Sequence, residues 1–295
     1  MSATPDLIRA LAVLCEPPEP AHARIAAALE LPAGPAPGDY VELFLRQVYP
    51  YASVYLGAEG MMGGEALDRA AGFWRALGLV PPAEPDHLAA LLGLYAGLME
   101  AERDETDPAR RALRRTSRRA LLWEHLLSWC PLYLDAVGRV APPYYAAWAR
   151  TLLDALLLEG DLLGQQPDLP LGLRDSSGLP SREEDAAAWI AALLAPVRSG
   201  LVLTRSDLGR CGRGLDLSLR VGERAQLLRA LLEQDSDGTV AWLAAEAEEA
   251  AARHAAGLSA LGDVAEFWAG RAWATAAALR ESAAMRPSET AETGG

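Results

Sequence analysis

The residues with the clearest chemical potential form a group of carboxylates and one imidazole, Glu84-Pro85-Asp86-His87. Apolar residues follow at positions 88, 91, 92, 95, 98 and 99, the spacing of one buried helix face. Pro85 suits the first helical position, where a missing N–H costs nothing, and Asp86 would lie beside the positive end of the helix dipole. The sequence therefore predicts a rigid, negatively charged turn with one titratable side chain, which we call the acidic corner (residues 84–87). An ordinary helix cap is the alternative interpretation of the same residues.

A second carboxylate and imidazole, Glu124-His125, lie in an apolar and aromatic stretch that also carries Trp129. Together with Glu84 and His87 they could supply ligands to a metal ion. However, adjacent residues on a helix point about 100° apart, whereas helical metal sites use Glu-x-x-His pairs. The usual nucleophile-elbow, phosphate-loop, zinc-helix and dinucleotide motifs are missing from the sequence. We therefore expect no catalytic residue, no metal ligand and no cofactor, and an all-helical metal- or ligand-binding protein remains the alternative.

The composition limits the class of partner. The formal net charge is −13, and all 27 positively charged side chains are arginine. A surface this acidic argues against nucleic acid and permits a partner rich in arginine or lysine. The three cysteines are far apart and match no disulfide framework or zinc pattern. The sequence shows neither a signal peptide nor a run of about 18–20 apolar residues, so we expect a cytoplasmic protein without membrane insertion.

The elements that must position these residues are all helical. Ala and Leu dominate the apolar residues, which favours helices over strands. Helices are predicted over 5–15, 19–31, from Asp39 to about 48, 64–78, from residue 85 onward, 108–137 and from Pro143, with residues 51–55 non-helical between the third and fourth. Later helices are predicted over 186–197, 206–211, 221–233, 239–257 and 261–285. We expect a helical core at 1–165, a linker at 166–182, an appended helical region at 183–285 and a disordered tail at 286–295.

The predicted helix from Pro108 carries an unusual cationic face. Arginines at 110, 111, 114, 115, 118 and 119 form two adjacent i, i+4 rows. Such a face could dock an acidic partner. It could equally be a solvated helix face balanced by the acidic residues at 100–107.

Four stretches of the chain resemble the TorD/DmsD/NarJ family of redox-enzyme maturation chaperones. Residues 39–45 (DYVELFL), followed by 51–55 (YASVY), are similar to the family's Y-x-x-L-F helix and the segment behind it. Residues 84–88 (EPDHL) resemble its hinge signature, one residue shorter between Pro85 and His87, as in the nitrate reductase branch. Residues 123–131 (WEHLLSWCP) and 143–148 (PYYAAW) resemble the two helices that follow. The four stretches cover about 39–160 in the family's order.

The resemblance implies a helical bundle of the TorD-like type, with the region after 180 as an additional C-terminal helical part. It also implies binding rather than catalysis: the partner is a molybdopterin oxidoreductase catalytic subunit and its N-terminal signal peptide, which often has a twin-arginine motif. Glu84, Asp86 and His87 would then make the polar contact with the peptide. Further peptide-binding residues would be Pro85, Tyr40, Ser53, Tyr55, Glu124, His125 and Trp129. A permanent structural subunit of an oxidoreductase complex is the other open interpretation.

Overall fold

The computed structural model of the chain describes residues 3–166 and 168–284, and within them the regular secondary structure is helical. The predicted all-α fold is thereby confirmed. Among the described residues, β-type pairing is limited to an isolated antiparallel bridge between Tyr51 and His87. The tail expected at 286–295 lies outside the described residues. Among the helices that are described, none is both long enough and apolar enough to cross a bilayer.

The first half of the chain contributes nine helices to the described residues. They are α1 (Pro5–Val13), α2 (His22–Ala28), α3 (Asp39–Glu42), α4 (Ala52–Leu56), α5 (Gly64–Ala76), α6 (Leu88–Asp104), α7 (Pro108–Ala120), α8 (Cys130–Val140) and α9 (Pro143–Leu163). Two of them continue as π-helical turns, α3 over Leu43–Gln47 and α7 over Leu121–Leu127.

The second half, as far as it is described, adds seven helices and one 3-10 turn. They are α10 (Leu171–Arg174), α11 (Ala186–Leu193), α12 (Pro196–Ser199), α13 (Arg205–Gly214), α14 (Arg224–Gln234), α15 (Ser236–Gly257), the 3-10 turn Ser259–Leu261 and α16 (Asp263–Ala284). Helices α15 and α16 pack along each other.

Several helix predictions differ from the structure. Helix α6 begins at Leu88, so the prediction that Pro85 occupies its first position is wrong. Residues 52–56 are helical although we expected residues 51–55 to be non-helical, because a distant side chain caps this short helix. The helix expected to run to about 137 stops near Ser128, and α8 starts anew at Cys130. Pro131 explains this break, since proline disfavours a helical conformation in the residue before it and lacks a backbone donor.

The hydrophobic interior forms two clusters. The first is built mainly from α1 to α9, and the second from α11 to α16. Trp268 of α16 belongs to the first cluster, and its indole N–H donates to the Ser128 carbonyl at 3.1 Å. Leu173, within the expected linker at 166–182, is buried in the first cluster. The division of the chain at 165 and 182 stays a prediction, and the two clusters share α16.

A group of ion pairs also joins the two clusters. Arg139 of α8 lies 3.3 Å from the Asp207 carboxylate of α13 and donates to the Val202 carbonyl at 3.1 Å. Arg253 of α15 lies 3.6 Å from Asp135 of α8. The Asp207 carboxylate is buried and the Asp135 carboxylate is partly buried, so salt screens these attractions less than those of surface ion pairs. The pairs therefore help to fix α8 against α13 and α15.

Candidate peptide-binding site

The acidic corner is a tight turn that ends in a helix cap. His87 is the N-cap of α6, and its Nδ1 accepts a hydrogen bond from the Ala89 N–H at 3.1 Å. The His87 N–H donates to the Glu84 carbonyl at 3.2 Å, which closes the turn. Trp74 of α5 donates from its indole to the Pro85 carbonyl at 3.3 Å. The corner is therefore held by its own backbone and by α5.

The segment around Pro50 fixes the other side of the corner. The Leu88 N–H donates to the Pro50 carbonyl at 2.8 Å, and the Ala52 N–H donates to the Asp86 carbonyl at 3.1 Å. The rings of Tyr51 and His87 meet edge to face, with 4.8 Å between their centroids. Two chain segments far apart in sequence thus form one rigid surface.

Asp86 lies inside this junction and not on its surface. Its side chain is fully buried, and Oδ2 accepts a hydrogen bond from the Ser53 N–H at 3.0 Å, at the start of α4. Its other oxygen, Oδ1, has no hydrogen-bond partner among the described residues. The Asp86 carboxylate therefore caps α4, although we expected it to serve α6. Its direct role in a peptide contact stays a prediction, and its observed contact positions the Pro50 segment.

Two carboxylates do lie on the surface here. Glu84 and Glu16 are both exposed, and neither has an ion-pair partner in the described part of the chain. Burial, and then a hydrogen bond with Glu84, raises the pKa of the Tyr51 hydroxyl. Burial raises the pKa of Tyr40 to about 12, and the negative charges of Glu16 and Glu84 add to the shift.

The same two carboxylates affect the pKa of His87. Burial lowers the pKa of His87, while Glu84 and Glu16 oppose that shift. Glu16, Glu84, Tyr40, Tyr51 and His87 therefore share one electrostatic environment. Unpaired carboxylates beside aromatic rings can hold a guanidinium group through charge-assisted hydrogen bonds and cation–π contact.

Glu124 and His125 have other partners. Glu124 accepts hydrogen bonds from the Leu171 N–H at 2.8 Å and from the side chain of Gln166, so it fixes the segment before α10. The His125 ring packs on Phe73 of α5 with 4.9 Å between centroids. Burial, and then the charge of Arg69, lowers the pKa of His125 to about 4. Their contacts are with α5 and the segment 166–171, and none of these joins them to Glu84 or His87.

The remaining predicted site residues lie in the interior. Tyr55 stacks on Trp129 with 5.2 Å between ring centroids, and both are fully buried. The Trp129 indole donates to the His125 carbonyl at 2.7 Å. The buried Ser53 hydroxyl accepts a hydrogen bond from the Gly63 N–H at 3.1 Å. These three side chains are buried, and their role in peptide binding stays a prediction.

The structure thus brings Tyr40, Glu84 and His87 together and adds two residues that the sequence analysis did not select, Glu16 and Tyr51. Tyr51 stood in a stretch that resembled the family, but its ring contact with His87 depends on the backbone bridge between them. Glu16 gave no signal of its own, because packing of α1 against α6 places it there. Among the described residues no group of three or more His, Cys, Asp or Glu is arranged to hold a metal ion.

The described part of the chain has an all-helical fold, and one surface of it carries unpaired carboxylates beside tyrosine rings. Residues 15–135 match the family model for the nitrate reductase delta subunit, and this match supports the resemblance to the NarJ/TorD-type chaperone family. This is a family of nitrate reductase-associated maturation chaperones and assembly subunits, not of enzymes. The matched segment contains Glu16, Tyr40, Tyr51 and the acidic corner. No curated protein matches the chain.

Proposed function

We propose that this protein is a cytoplasmic chaperone that binds the N-terminal signal peptide of a molybdopterin oxidoreductase catalytic subunit. It holds the apo form of that subunit, assists insertion of the cofactor and assembly, and releases the client before export. The observation that carries the proposal is the pair of surface carboxylates, Glu16 and Glu84, which have tyrosines beside them and no arginine paired with them among the described residues.

In this proposal the client supplies the missing cation. One or two arginines of the signal peptide donate to Glu84 and Glu16, and the partly buried rings of Tyr40 and Tyr51 border the guanidinium groups. His87 presents a neutral ring at neutral pH, because its pKa is lowered, and so does not repel the peptide. Pro85 and Asp86 position the turn, and the buried Ser53, Tyr55 and Trp129 support the segment behind it.

Calorimetric titration with two synthetic peptides tests the proposal. One peptide carries a twin-arginine segment followed by an apolar run, and the other has glutamine at both arginine positions. The wild-type protein should bind the arginine peptide more tightly. The double variant Glu16→Gln/Glu84→Gln should lose about thirtyfold in affinity, since it weakens two hydrogen bonds to charged groups and each is worth about 1 kcal/mol or more.

The matched control is Asp154→Asn/Asp161→Asn, which removes two exposed carboxylates of α9 and changes the net charge equally. It should bind as the wild type does. The proposal is wrong if the arginine peptide does not bind, or if both double variants bind it with the affinity of the wild type.

A permanent subunit is the second candidate, because the matched family is described as a subunit of nitrate reductase. Gel filtration of native extracts separates the two functions. A chaperone should elute with an immature client and alone once the client is mature, whereas a permanent subunit should stay with the mature enzyme.

A further inference from the structure

A positively charged cleft lies among the C-terminal helices. It has a volume of about 490 Å³ and opens between α16 and the segment that joins α10 to α11. Its charged lining residues are Arg198 of α12, Arg271 of α16 and the exposed Glu266. The rest of its lining is mostly apolar or small: Gly178, Leu179, Phe267, Gly270, Ala274, Thr275 and Ala278. Two cations against one carboxylate leave this arginine cleft positive, in a protein whose formal net charge is −13.

The two arginines of the cleft meet at one residue, Gly178. The Arg198 guanidinium group donates to the Gly178 carbonyl from Nη2 at 3.0 Å and from Nε at 3.2 Å. A Cβ on Gly178 would lie 3.0 Å from Nη1 of Arg271. Because the carbonyl oxygen and the Cβ position of one residue are about 3 Å apart, Nη2 of Arg198 and Nη1 of Arg271 lie within about 9 Å of each other. One anion placed between them can therefore accept hydrogen bonds from both side chains.

Backbone carbonyls orient these arginines but do not neutralise them. Arg271 donates to the Ser176 carbonyl at 3.0 Å, and its guanidinium group lies over the Phe267 ring, 5.1 Å from the centroid. Burial lowers the pKa of Arg271, and the positive charge of Arg198 adds to the shift. In the part of the chain that the structure describes, neither arginine makes an ion pair, whereas the buried Arg118 pairs with two carboxylates. The repulsion between the two cations of the cleft is thus left without compensation.

Both guanidinium groups keep N–H donors for a ligand. Nη1 of Arg198 and Nη1 of Arg271 donate to no acceptor among the described residues, and neither is a buried atom without a partner, so both reach solvent. Guanidinium groups bind phosphate oxygens through charge-assisted hydrogen bonds, often two at a time. Space for a larger ligand lies beside Gly270, where a Cβ would meet no atom within 4 Å. The cleft thus offers two cations next to an unfilled apolar surface of α16.

We propose that the arginine cleft binds a small organic phosphate, with the phosphate group between Arg198 and Arg271 and the apolar body against α16 beside Gly270. Its volume lies within the range of about 300–1,000 Å³ that is usual for small-molecule sites. A phosphate monoester suits two cations better than a carboxylate does, because it carries a charge of about −1.5 to −2 at neutral pH. No residue of the acidic corner lines the cleft, so this site does not rest on the proposed function.

Calorimetric titration of the full chain with four probes tests the class of ligand. The probes are phenyl phosphate, inorganic phosphate, benzoate and benzyl alcohol. The wild type should bind phenyl phosphate at least about tenfold more tightly than benzoate, because the second negative charge uses the second arginine. Inorganic phosphate should bind more weakly than phenyl phosphate, since it has no apolar body, and the uncharged benzyl alcohol should not bind measurably.

The double variant Arg198→Gln/Arg271→Gln tests the two cations. Glutamine keeps a side-chain N–H donor for the nearby carbonyls but removes the charge. Affinity for phenyl phosphate and for inorganic phosphate should fall at least about tenfold. The matched control is Arg24→Gln/Arg229→Gln, which removes two exposed arginines and changes the net charge equally. It should bind both phosphates as the wild type does.

The variant Gly270→Leu tests the place of the apolar body. It fills the surface of α16 from an exposed position, and leucine favours a helix more than glycine does, so the protein should fold. Affinity for phenyl phosphate should fall about fivefold or more, because the ring loses its apolar contact, while affinity for inorganic phosphate should not change. Gly93→Leu is the matched control, at an exposed glycine of α6 that has the same free space.

Three results would overturn the inference. They are no binding of phenyl phosphate to the wild type, equal affinity for benzoate and phenyl phosphate, and equal affinity of the arginine double variant and its control for phenyl phosphate. Equal affinity of Gly270→Leu and Gly93→Leu for phenyl phosphate would also contradict it, because the apolar body would then lie elsewhere. Circular dichroism of each variant separates a loss of affinity from a loss of fold, and none of these results tests the peptide site at Glu16 and Glu84.

Discussion

Carboxylates lie beside tyrosines in two regions of this molecule, with opposite outcomes. In the interior, Arg118 of α7 donates to Glu102 at 2.6 Å, to Glu159 at 2.9 Å and to the Tyr95 hydroxyl at 3.3 Å. Tyr95 also donates to Glu159 at 2.6 Å. At the acidic corner, Glu84 and Glu16 border Tyr51 and Tyr40, and no arginine of the described chain reaches them. The interior cluster is neutralised by its own chain and the corner is not.

The difference teaches where the arginines of this acidic protein are used. Arg114 of α7 lies 3.1 Å from Glu105, and Arg115 lies 3.2 Å from Glu102. Much of the cationic face of α7 thus serves the acidic residues at 100–107, which is the self-balanced alternative considered for it. The corner is left with a negative potential that a partner's cation can satisfy. A buried ion pair has a structural role, whereas an unpaired surface carboxylate remains available for binding.

The largest effect is expected from removal of the interior cation. Arg118→Met should lower the free energy of unfolding by about 3–5 kcal/mol, because Glu159 would stay buried without its cation and Glu102 would keep only the exposed Arg115. Urea denaturation measures this change. Arg110→Met, at an exposed position of the same helix, should change stability by less than about 0.5 kcal/mol. A loss below about 1 kcal/mol for Arg118→Met would show that the interior cluster is not neutralised in the way described.

The two histidines of the predicted site extend the comparison. His125 has no carboxylate among the groups that shift it, and burial lowers its pKa to about 4, from an ordinary value of 6.5. The unfolded chain therefore binds a proton between these two pH values and the folded chain does not. Stability is complete above about pH 6.5 and falls as the pH drops toward 4.

This loss should amount to about 2 kcal/mol for His125, since one pKa unit corresponds to about 1.4 kcal/mol and the ring is not wholly buried. The measurement is urea denaturation of the wild type and of His125→Gln at several pH values from 4 to 7. The difference between the two curves should shrink as the pH falls. Parallel curves would contradict the prediction.

A smaller effect separates the buried and the exposed carboxylate of the corner. Asp86→Asn should lower the free energy of unfolding by about 1–2 kcal/mol, because it weakens the cap that the carboxylate provides for α4. Glu84→Gln should change stability by less than about 0.5 kcal/mol. Thermal unfolding measures both changes. If the two variants lose the same free energy of unfolding, Asp86 is not the positioning residue and Glu84 the binding residue of the corner.

The smallest effect concerns pH and peptide affinity. Protonated His87 would repel a bound arginine, and its pKa lies below 6.5. Affinity for the twin-arginine peptide should therefore be highest above pH 6.5 and fall about two- to fivefold as the pH drops below the pKa of His87. His87→Gln should reduce that dependence. The same slope in both proteins would place the titrating group elsewhere.

Much of the fold could be predicted from local patterns. The apolar positions of α6 are buried as the spacing required, and α9 begins with Pro143 as predicted. Gly78, with φ +76°, closes α5 as expected of a helix-terminating glycine. Short helices could not be predicted in this way. Helix α4, for example, depends on the Asp86 carboxylate, which lies 33 residues away in the chain and is not revealed by any local pattern.

The candidate site was less predictable than the fold. The sequence selected Glu84 and His87 but gave no reason to exclude Asp86 from the surface. It also grouped Glu124 and His125 with them, although α5 and the segment 166–171 are what these two residues contact. Side-chain exposure and partners depend on how helices pack, and helical spacing alone does not define that packing.

The sequence by itself determined the helical class, the acidic surface, the position of the corner before α6 and the resemblance to a chaperone family. These depend on composition and on neighbours within a few residues. The tertiary structure alone decided which carboxylates are neutralised and that Glu16 and Tyr51 join the corner. The physical reason is that charge pairing and burial are set by contacts between segments distant in the chain.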